Sequence, residues 1–113
     1  MHELGIVFHV IDSLHEVAKE NDLSQIQSVT VEVGEVSTVI PDYLVDCWNW
    51  AVKKEELLVD CEMIVETIHA ITFCDECKQT YDTVAHGRIC PLCGSEKTWL
   101  VTGNEINIKE ITV

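Results

Sequence analysis

Two CxxC pairs constrain the fold of this chain more than any other feature of its sequence. Cys74 and Cys77 form the first pair, and Cys90 and Cys93 form the second pair after a gap of twelve residues. A CxxC turn brings two sulfurs to one side of the backbone. Two such turns can surround zinc with a tetrahedron of thiolates at Zn–S distances of about 2.3 Å. Four thiolates occupy every position of tetrahedral zinc, so we predict a structural Zn(II) site with no position open for catalysis.

Other roles for the cysteines and the nearby histidines fit the sequence less well. A thioredoxin-like redox role requires a CxxC pair at a helix N-terminus, where the thiol pKa is lowered, but the flanking residues here have strand character. His69 and His86 could replace a cysteine as zinc ligands only in a rearranged site. The remaining thiols, Cys47 and Cys61, are interpreted as small buried apolar residues.

Two segments have the apolar periodicity of amphipathic helices. The first covers residues 2–21, and its apolar stripe consists of Leu4, Val7, Phe8, Ile11, Leu14 and Ala18. The second begins at Pro41, which suits a first helical turn, and is predicted to run to about residue 57. Trp48 and Trp50 in this helix are interpreted as packing residues.

Three further segments have strand character. Residues 26–33 alternate valine with polar residues, which predicts a strand. Residues 62–71 carry apolar residues on both parities, so we expect one long strand in the centre of a sheet. In the last segment, residues 105–113, the apolar parity changes after Ile108, which predicts a bulge or a strand covered on both sides.

The order of these elements predicts an α+β fold, with two helices packed on a small three-stranded sheet. The cysteine segment is then a zinc-ribbon-like domain with four cysteine ligands, inserted before the last strand. We expect one domain from residues 1–68 plus 104–113 and a zinc-binding domain from residues 69–103. The insertion is too short to bury a core of its own, so the metal should supply its stability.

Composition excludes several classes of function. The chain has 20 acidic residues against 7 lysines and arginines, a net charge of −13, so no nucleic-acid partner is expected. No apolar run reaches the roughly 18 residues of a membrane span, and no signal peptide is apparent, so we expect a cytoplasmic protein without a membrane partner. No nucleophile–base pair and no phosphate-binding glycine loop has sequence support, so we expect no enzyme activity.

The first three residues, MHE, could form a second metal site. The amine of Met1, the backbone nitrogen and imidazole of His2, and the backbone nitrogen of Glu3 are joined by short covalent paths. Four nitrogens in one plane suit Ni(II) or Cu(II). Because His2 is not small, we expect Met1 to be retained. On the residues alone, a histidine at position 2 is weak evidence for a metal site.

The chain resembles the HypA family of hydrogenase nickel-incorporation proteins over essentially its whole length. The matching features are the MHE start, the GEVS turn after a valine-rich strand, the CDEC and CPLC pairs, and TGNE before the last strand. The resemblance implies a nickel metallochaperone with Ni(II) held at His2, the Met1 amine and the Glu3 backbone, and Zn(II) in a separate domain.

The resemblance also implies partners. These are the GTPase HypB, the large subunit of [NiFe]-hydrogenase and, in some relatives, the urease maturation proteins. The alternative is a zinc-ribbon protein-interaction module that does not transfer nickel. This module, unlike the chaperone, would be indifferent to a blocked N-terminus.

Overall fold

The computed structural model describes residues 2–113, except for the side chain of His2. Over this range, two long helices, six strands and two short helical turns follow one another along the chain. They are α1 (His2–Asn21), β1 (Ser28–Gly34), α2 (Pro41–Ala51), a 3-10 turn (Val52–Lys54), β2 (Glu62–Ile68), β3 (Ile71–Cys74), β4 (Thr80–Asp82), α3 (Thr83–His86), β5 (Thr98–Thr102) and β6 (Ile106–Thr112). None of the helices among the described residues has the length and apolar character needed to cross a bilayer.

The α+β architecture with two long helices and a three-stranded sheet is confirmed. The sheet has the order β2-β1-β6, so β1 is its central strand. Val29 and Val31 of β1 are fully buried, as the alternating pattern predicts, and so are Leu44 and Trp48 of α2. Leu14 of α1 is 1% exposed. Most of the predicted stripe of α1 and the valine face of β1 therefore lie in the main core. Phe8 is 48% exposed, so its assignment to the buried stripe was wrong.

Several predicted elements differ from the observed ones. The expected strand over residues 62–71 is two strands in different sheets, with β2 ending at Ile68 and β3 beginning at Ile71. The expectation that this strand is central was wrong, because β2 lies at a sheet edge and Ile64 is 40% exposed. The last strand, β6, is the other edge and is mostly exposed, so cover on both faces, one of the two alternatives for this strand, was wrong, and the bulge stays a prediction.

The second helix also differs from the prediction. The α-helix ends at Ala51 and continues as one 3-10 turn, short of the predicted end at residue 57. Trp48 is buried, and its indole N–H donates to the backbone oxygen of Cys61 at 2.9 Å. Trp50 is 63% exposed, so its interpretation as a packing residue was wrong. It lies two residues from Trp48, which places it off the buried face of the helix.

The chain divides into two compact units. The first contains residues up to Glu32, Val39–Glu66 and Asn107–Val113, and the second contains Val33–Thr38 and Thr67–Ile106. The domain boundaries at residues 68/69 and 103/104 stay a prediction.

A second, antiparallel sheet of order β4-β3-β5 forms the framework of the second unit. Phe73 of β3 pairs with Thr80 of β4 and with Trp99 of β5. The rings of Phe73 and Trp99 lie 5.0 Å apart between centroids. This sheet carries the first CxxC pair at the end of β3.

The GEVS and TGNE segments meet in the second unit, and neither Gly34 nor Gly103 has room for a side chain there. A Cβ at Gly34 would lie 2.1 Å from the backbone oxygen of Gly103, and a Cβ at Gly103 would lie 2.5 Å from the Cα of Ala70. Gly103 also has a φ of 111°, which favours glycine. The Glu105 carboxylate accepts the backbone N–H of Gly103 at 2.6 Å, and this bond is the largest cause of a lowered pKa at Glu105.

Candidate metal centre

The two CxxC pairs fold into matching backbone turns. The backbone N–H of Lys78 donates to the oxygen of Cys74 at 2.9 Å, and that of Gly94 donates to the oxygen of Cys90 at 2.8 Å. Both donors have left-handed backbone conformations, with φ of 60° at Lys78 and 74° at Gly94. Glycine suits this conformation, whereas at a lysine it costs roughly 1–2 kcal/mol. The first turn therefore holds a strained residue that the spacing of the cysteines does not reveal.

The four thiols converge on one point. Sulfur atoms of all four cysteines lie within 4.8 Å of one another, and the Sγ–Sγ distances are 3.6 Å for Cys74–Cys93 and 3.6 Å for Cys77–Cys90. A tetrahedron with Zn–S bonds of about 2.3 Å has edges of about 3.8 Å. The donor set and its spacing thus suit a structural zinc ion, as the sequence predicts. Cys74 and Cys90 are buried, whereas Cys93 is exposed.

Little besides the cysteines fills the interior around this site. The buried cluster consists of Cys74, Tyr81 and Cys90, with Cys77 packed against it. The Tyr81 hydroxyl donates to the backbone oxygen of Gly87 at 2.8 Å. A core in which most members are metal ligands depends on the metal for its stability.

The thiols of the cluster differ in how readily they lose a proton. Burial raises the pKa of the Cys77 thiol to about 12. Burial acts in the same direction on Cys90, but the backbone N–H groups of Cys93 and Leu92 and the adjacent thiols lower its pKa to about 7. One thiolate therefore forms readily while Cys77 keeps its proton, and a divalent cation must displace that proton on binding.

The predicted nickel ligands lie at the boundary of the described residues. Met1 lies outside them, and the side chain of His2 is not described. The backbone of α1 begins at His2, which places Glu3 in the first helical turn. The Glu3 side chain is only 7% exposed, and its Oε2 accepts the backbone N–H of Ile40 at 3.2 Å. The sequence places an acid in this turn but carries no signal that its side chain is buried.

A second group of charged residues was not anticipated from the sequence. His69 lies between two carboxylates, with Nδ1 3.1 Å from Glu35 Oε1 and Nε2 in a short hydrogen bond to Asp82 Oδ1. The bond to Asp82 is the largest cause of a raised pKa at His69. Glu35 Oε1 also accepts the backbone N–H of Ala70 at 2.9 Å. His69 therefore links the segments that contain Glu35 and Asp82. Among the described residues, the group that could hold a metal consists of the four cysteines and does not include His69.

Comparison with known proteins identifies relatives along the whole chain. A family model described as "Hydrogenase/urease nickel incorporation, metallochaperone, hypA" matches residues 1–113. The chain is 32% identical over 113 residues to the hydrogenase maturation factor HypA of Chlorobium phaeobacteroides (strain BS1), covering 100% of this chain and 99% of that protein. It is 27% identical over 113 residues to HypA of Actinobacillus succinogenes, with the same coverage of both chains.

Solved structures show the same fold. The solution structure of the Ni metallochaperone HypA from Helicobacter pylori aligns with a TM-score of 0.72 and 21% identity, covering 97% of this chain and 95% of that one. A second solution structure of a HypA protein aligns with a TM-score of 0.74 and 24% identity, covering 99% of this chain and 95% of that one.

The α/β unit and the four-thiolate unit together define a small metal-handling protein with a structural zinc site. Four thiolates would fill every coordination position of a tetrahedral zinc ion, so a zinc ion held by these cysteines would stabilise the fold and have no open position. The family model that matches residues 1–113 names nickel as the metal that is handled. The chain belongs to the HypA family and is a nickel metallochaperone of hydrogenase maturation.

Proposed function

We propose that this chain binds Ni(II) at its N-terminus through His2, the Met1 amine and the backbone nitrogen of Glu3. In this proposal it delivers the ion to the large subunit of [NiFe]-hydrogenase together with the GTPase HypB. The observation that carries the proposal is the family match, which begins at residue 1 and so includes the MHE start. The family description names urease beside hydrogenase, so we include urease maturation as a second destination.

The start of α1 supports the ligand set chemically. The helix begins at His2, so the backbone N–H groups of His2 and Glu3 lie in the first turn. The first four N–H groups of an α-helix have no acceptor within the helix. These two nitrogens can therefore bind a metal without breaking a helical hydrogen bond. A planar set of nitrogen ligands suits Ni(II). It differs from the tetrahedral set of thiolates that suits zinc.

Activity as an enzyme is not part of the proposal. The family is described by nickel incorporation and maturation, and a metallochaperone needs only to bind and release its ion. The ion it carries is cargo, and in a ligand set built from consecutive atoms at the end of a chain a partner's ligands can replace the nitrogens one at a time. The cytoplasmic location stays a prediction from the sequence.

The test is to block or remove the terminal ligands. One glycine added before Met1, or His2→Ala, should abolish stoichiometric nickel binding in the untagged protein and leave zinc content and circular dichroism unchanged. His9→Ala is the matched control, because His9 is an exposed histidine on the same helix. Nickel loading should be followed by calorimetry and by the d–d absorption spectrum, which reports planar nitrogen ligation.

The same experiment separates the chaperone from a zinc-stabilised interaction module. A module that does not transfer nickel would bind partners equally well with the extended terminus and would carry no stoichiometric nickel in any variant. Retention of tight nickel binding by the extended protein would refute the terminal site.

A further inference from the structure

The side chain of Glu3 occupies an unusual place for an acid. It is 7% exposed, in a chain whose other acids are mostly on the surface. Removing a carboxylate from water is unfavourable unless hydrogen bonds or positive potential compensate for the loss. An acid in the first turn of a helix is often explained by the helix dipole, but that interaction does not require burial.

The second helix supplies one hydrogen bond that compensates for the burial of Glu3. Glu3 Oε2 accepts the backbone N–H of Ile40 at 3.2 Å, and Ile40 is the N-cap residue of α2. Ile40 has no side-chain oxygen to cap the helix, and Pro41 follows it in the first turn. The N-terminus of α2 also has the positive end of the helix dipole, which favours a nearby carboxylate.

This contact reproduces a known local motif across 37 residues of sequence. In a capping box, a Glu or Gln at position N3 accepts the backbone N–H of its own N-cap residue. In α2 the N3 position is Tyr43, which cannot accept that bond as a carboxylate would. Glu3 supplies the acceptor from α1 instead. The contact therefore fixes the first turn of α1 against the start of α2.

We infer that the Glu3 side chain is a positioning residue, which holds the terminal nitrogens in the conformation that binds nickel. This inference rests on the proposed N-terminal nickel site. The backbone nitrogen of Glu3 is one of the proposed ligands, so a restraint on the Glu3 side chain also restrains that nitrogen. A ligand set that is already ordered loses less conformational entropy when the metal binds. The carboxylate thus slows release of nickel by holding the backbone in place.

Three variants distinguish the effect of the hydrogen bond between Glu3 and Ile40 from the effect of the negative charge of Glu3. Glu3→Gln keeps an acceptor oxygen with the same reach and removes the charge. Glu3→Asp keeps the charge and shortens the side chain by one methylene, so the oxygen no longer reaches Ile40. Glu3→Ala removes both. Glu16→Asp is the matched control, because Glu16 is an exposed acid on the same helix.

The measurement is the rate of nickel loss to excess EDTA from untagged, zinc-loaded protein, followed in the d–d spectrum. A hydrogen bond of this kind contributes roughly tenfold in an equilibrium constant, so Glu3→Asp and Glu3→Ala should lose nickel about tenfold faster than wild type. Glu3→Gln should stay within about twofold of wild type, since its carboxamide oxygen keeps the hydrogen bond. Hydrogen exchange of the Ile40 amide should accelerate only in the Asp and Ala variants.

Each contrary result has a separate meaning. If Glu3→Gln loses nickel as fast as Glu3→Ala while Ile40 stays protected, the carboxylate acts by charge or as a ligand, and the positioning role is overturned. Equal nickel loss from Glu3→Asp and wild type, with the Ile40 amide already exchanging faster, overturns it as well. In protein extended by one glycine, Glu3→Ala should have no further effect. Tight nickel binding by that extended protein would instead refute the terminal site itself.

Discussion

Removal of zinc should unfold the unit that contains Val33–Thr38 and Thr67–Ile106 and leave the other unit folded. The buried cluster of this unit consists of Cys74, Tyr81 and Cys90, so Tyr81 is the one large side chain in that cluster. Burial of one large side chain contributes about 1.5–3 kcal/mol. Binding of structural zinc contributes an apparent free energy of roughly 10–16 kcal/mol to the folding of a small domain. The free energy of zinc binding is several times larger than that of burying Tyr81, so we expect this unit to fold only with the metal bound.

The assay is a chelator titration of isotopically labelled protein, with zinc content measured by mass spectrometry. The amide signals of Tyr81 and Trp99 should collapse to random-coil positions as zinc is lost, while that of Trp48 should stay dispersed. Cys74→Ala should reproduce the effect of the chelator, whereas Cys61→Ala, a change at a buried cysteine outside the cluster, should leave zinc bound. Dispersed signals from Tyr81 and Trp99 after complete loss of zinc would refute the argument.

Two further predictions concern stability. Trp48→Phe should lower the free energy of unfolding by about 2–4 kcal/mol, because it removes the indole donor to the Cys61 carbonyl and reduces the buried area. Trp50 is exposed, so Trp50→Phe should change the free energy of unfolding by less than about 0.5 kcal/mol. Urea unfolding followed by circular dichroism compares the two, and equal losses would contradict the assignment of the core. His69, whose pKa is raised mainly by its bond to Asp82, should stabilise the fold fully below the unfolded pKa of about 6.5 and lose that effect as the pH rises through the higher folded value. His69→Gln should remove this part of the pH dependence of thermal unfolding, and an unchanged profile would refute the role of His69.

Features that depend on near neighbours in the chain were predictable. The helix over residues 2–21 was predicted with its observed bounds, because its apolar residues recur along one face for about five turns, a length at which periodicity is unambiguous. The thiol cluster was predictable from the spacing of the cysteines, since each CxxC turn is a local backbone structure. The strand over residues 26–33 was located to within two residues at its start because valine alternates there.

The errors have a common cause, which is that burial depends on neighbours supplied by distant segments. Residues 62–71 are apolar on both parities, but no local signal shows that the chain leaves one sheet after Ile68 and enters another at Ile71. The exposure of Trp50 and of β6 likewise depends on which surfaces other elements cover.

MHE, GEVS, TGNE and the two CxxC pairs are short local patterns, so the resemblance to the HypA family could be read from the sequence alone. The reasons for several of those residues appear in the fold alone. Gly34 has to be glycine because Gly103 approaches it, and Glu3 is buried because the N-cap of α2 lies beside it. Contacts between residues so far apart in the chain depend on how whole helices and strands pack, and that packing is not written in any local pattern.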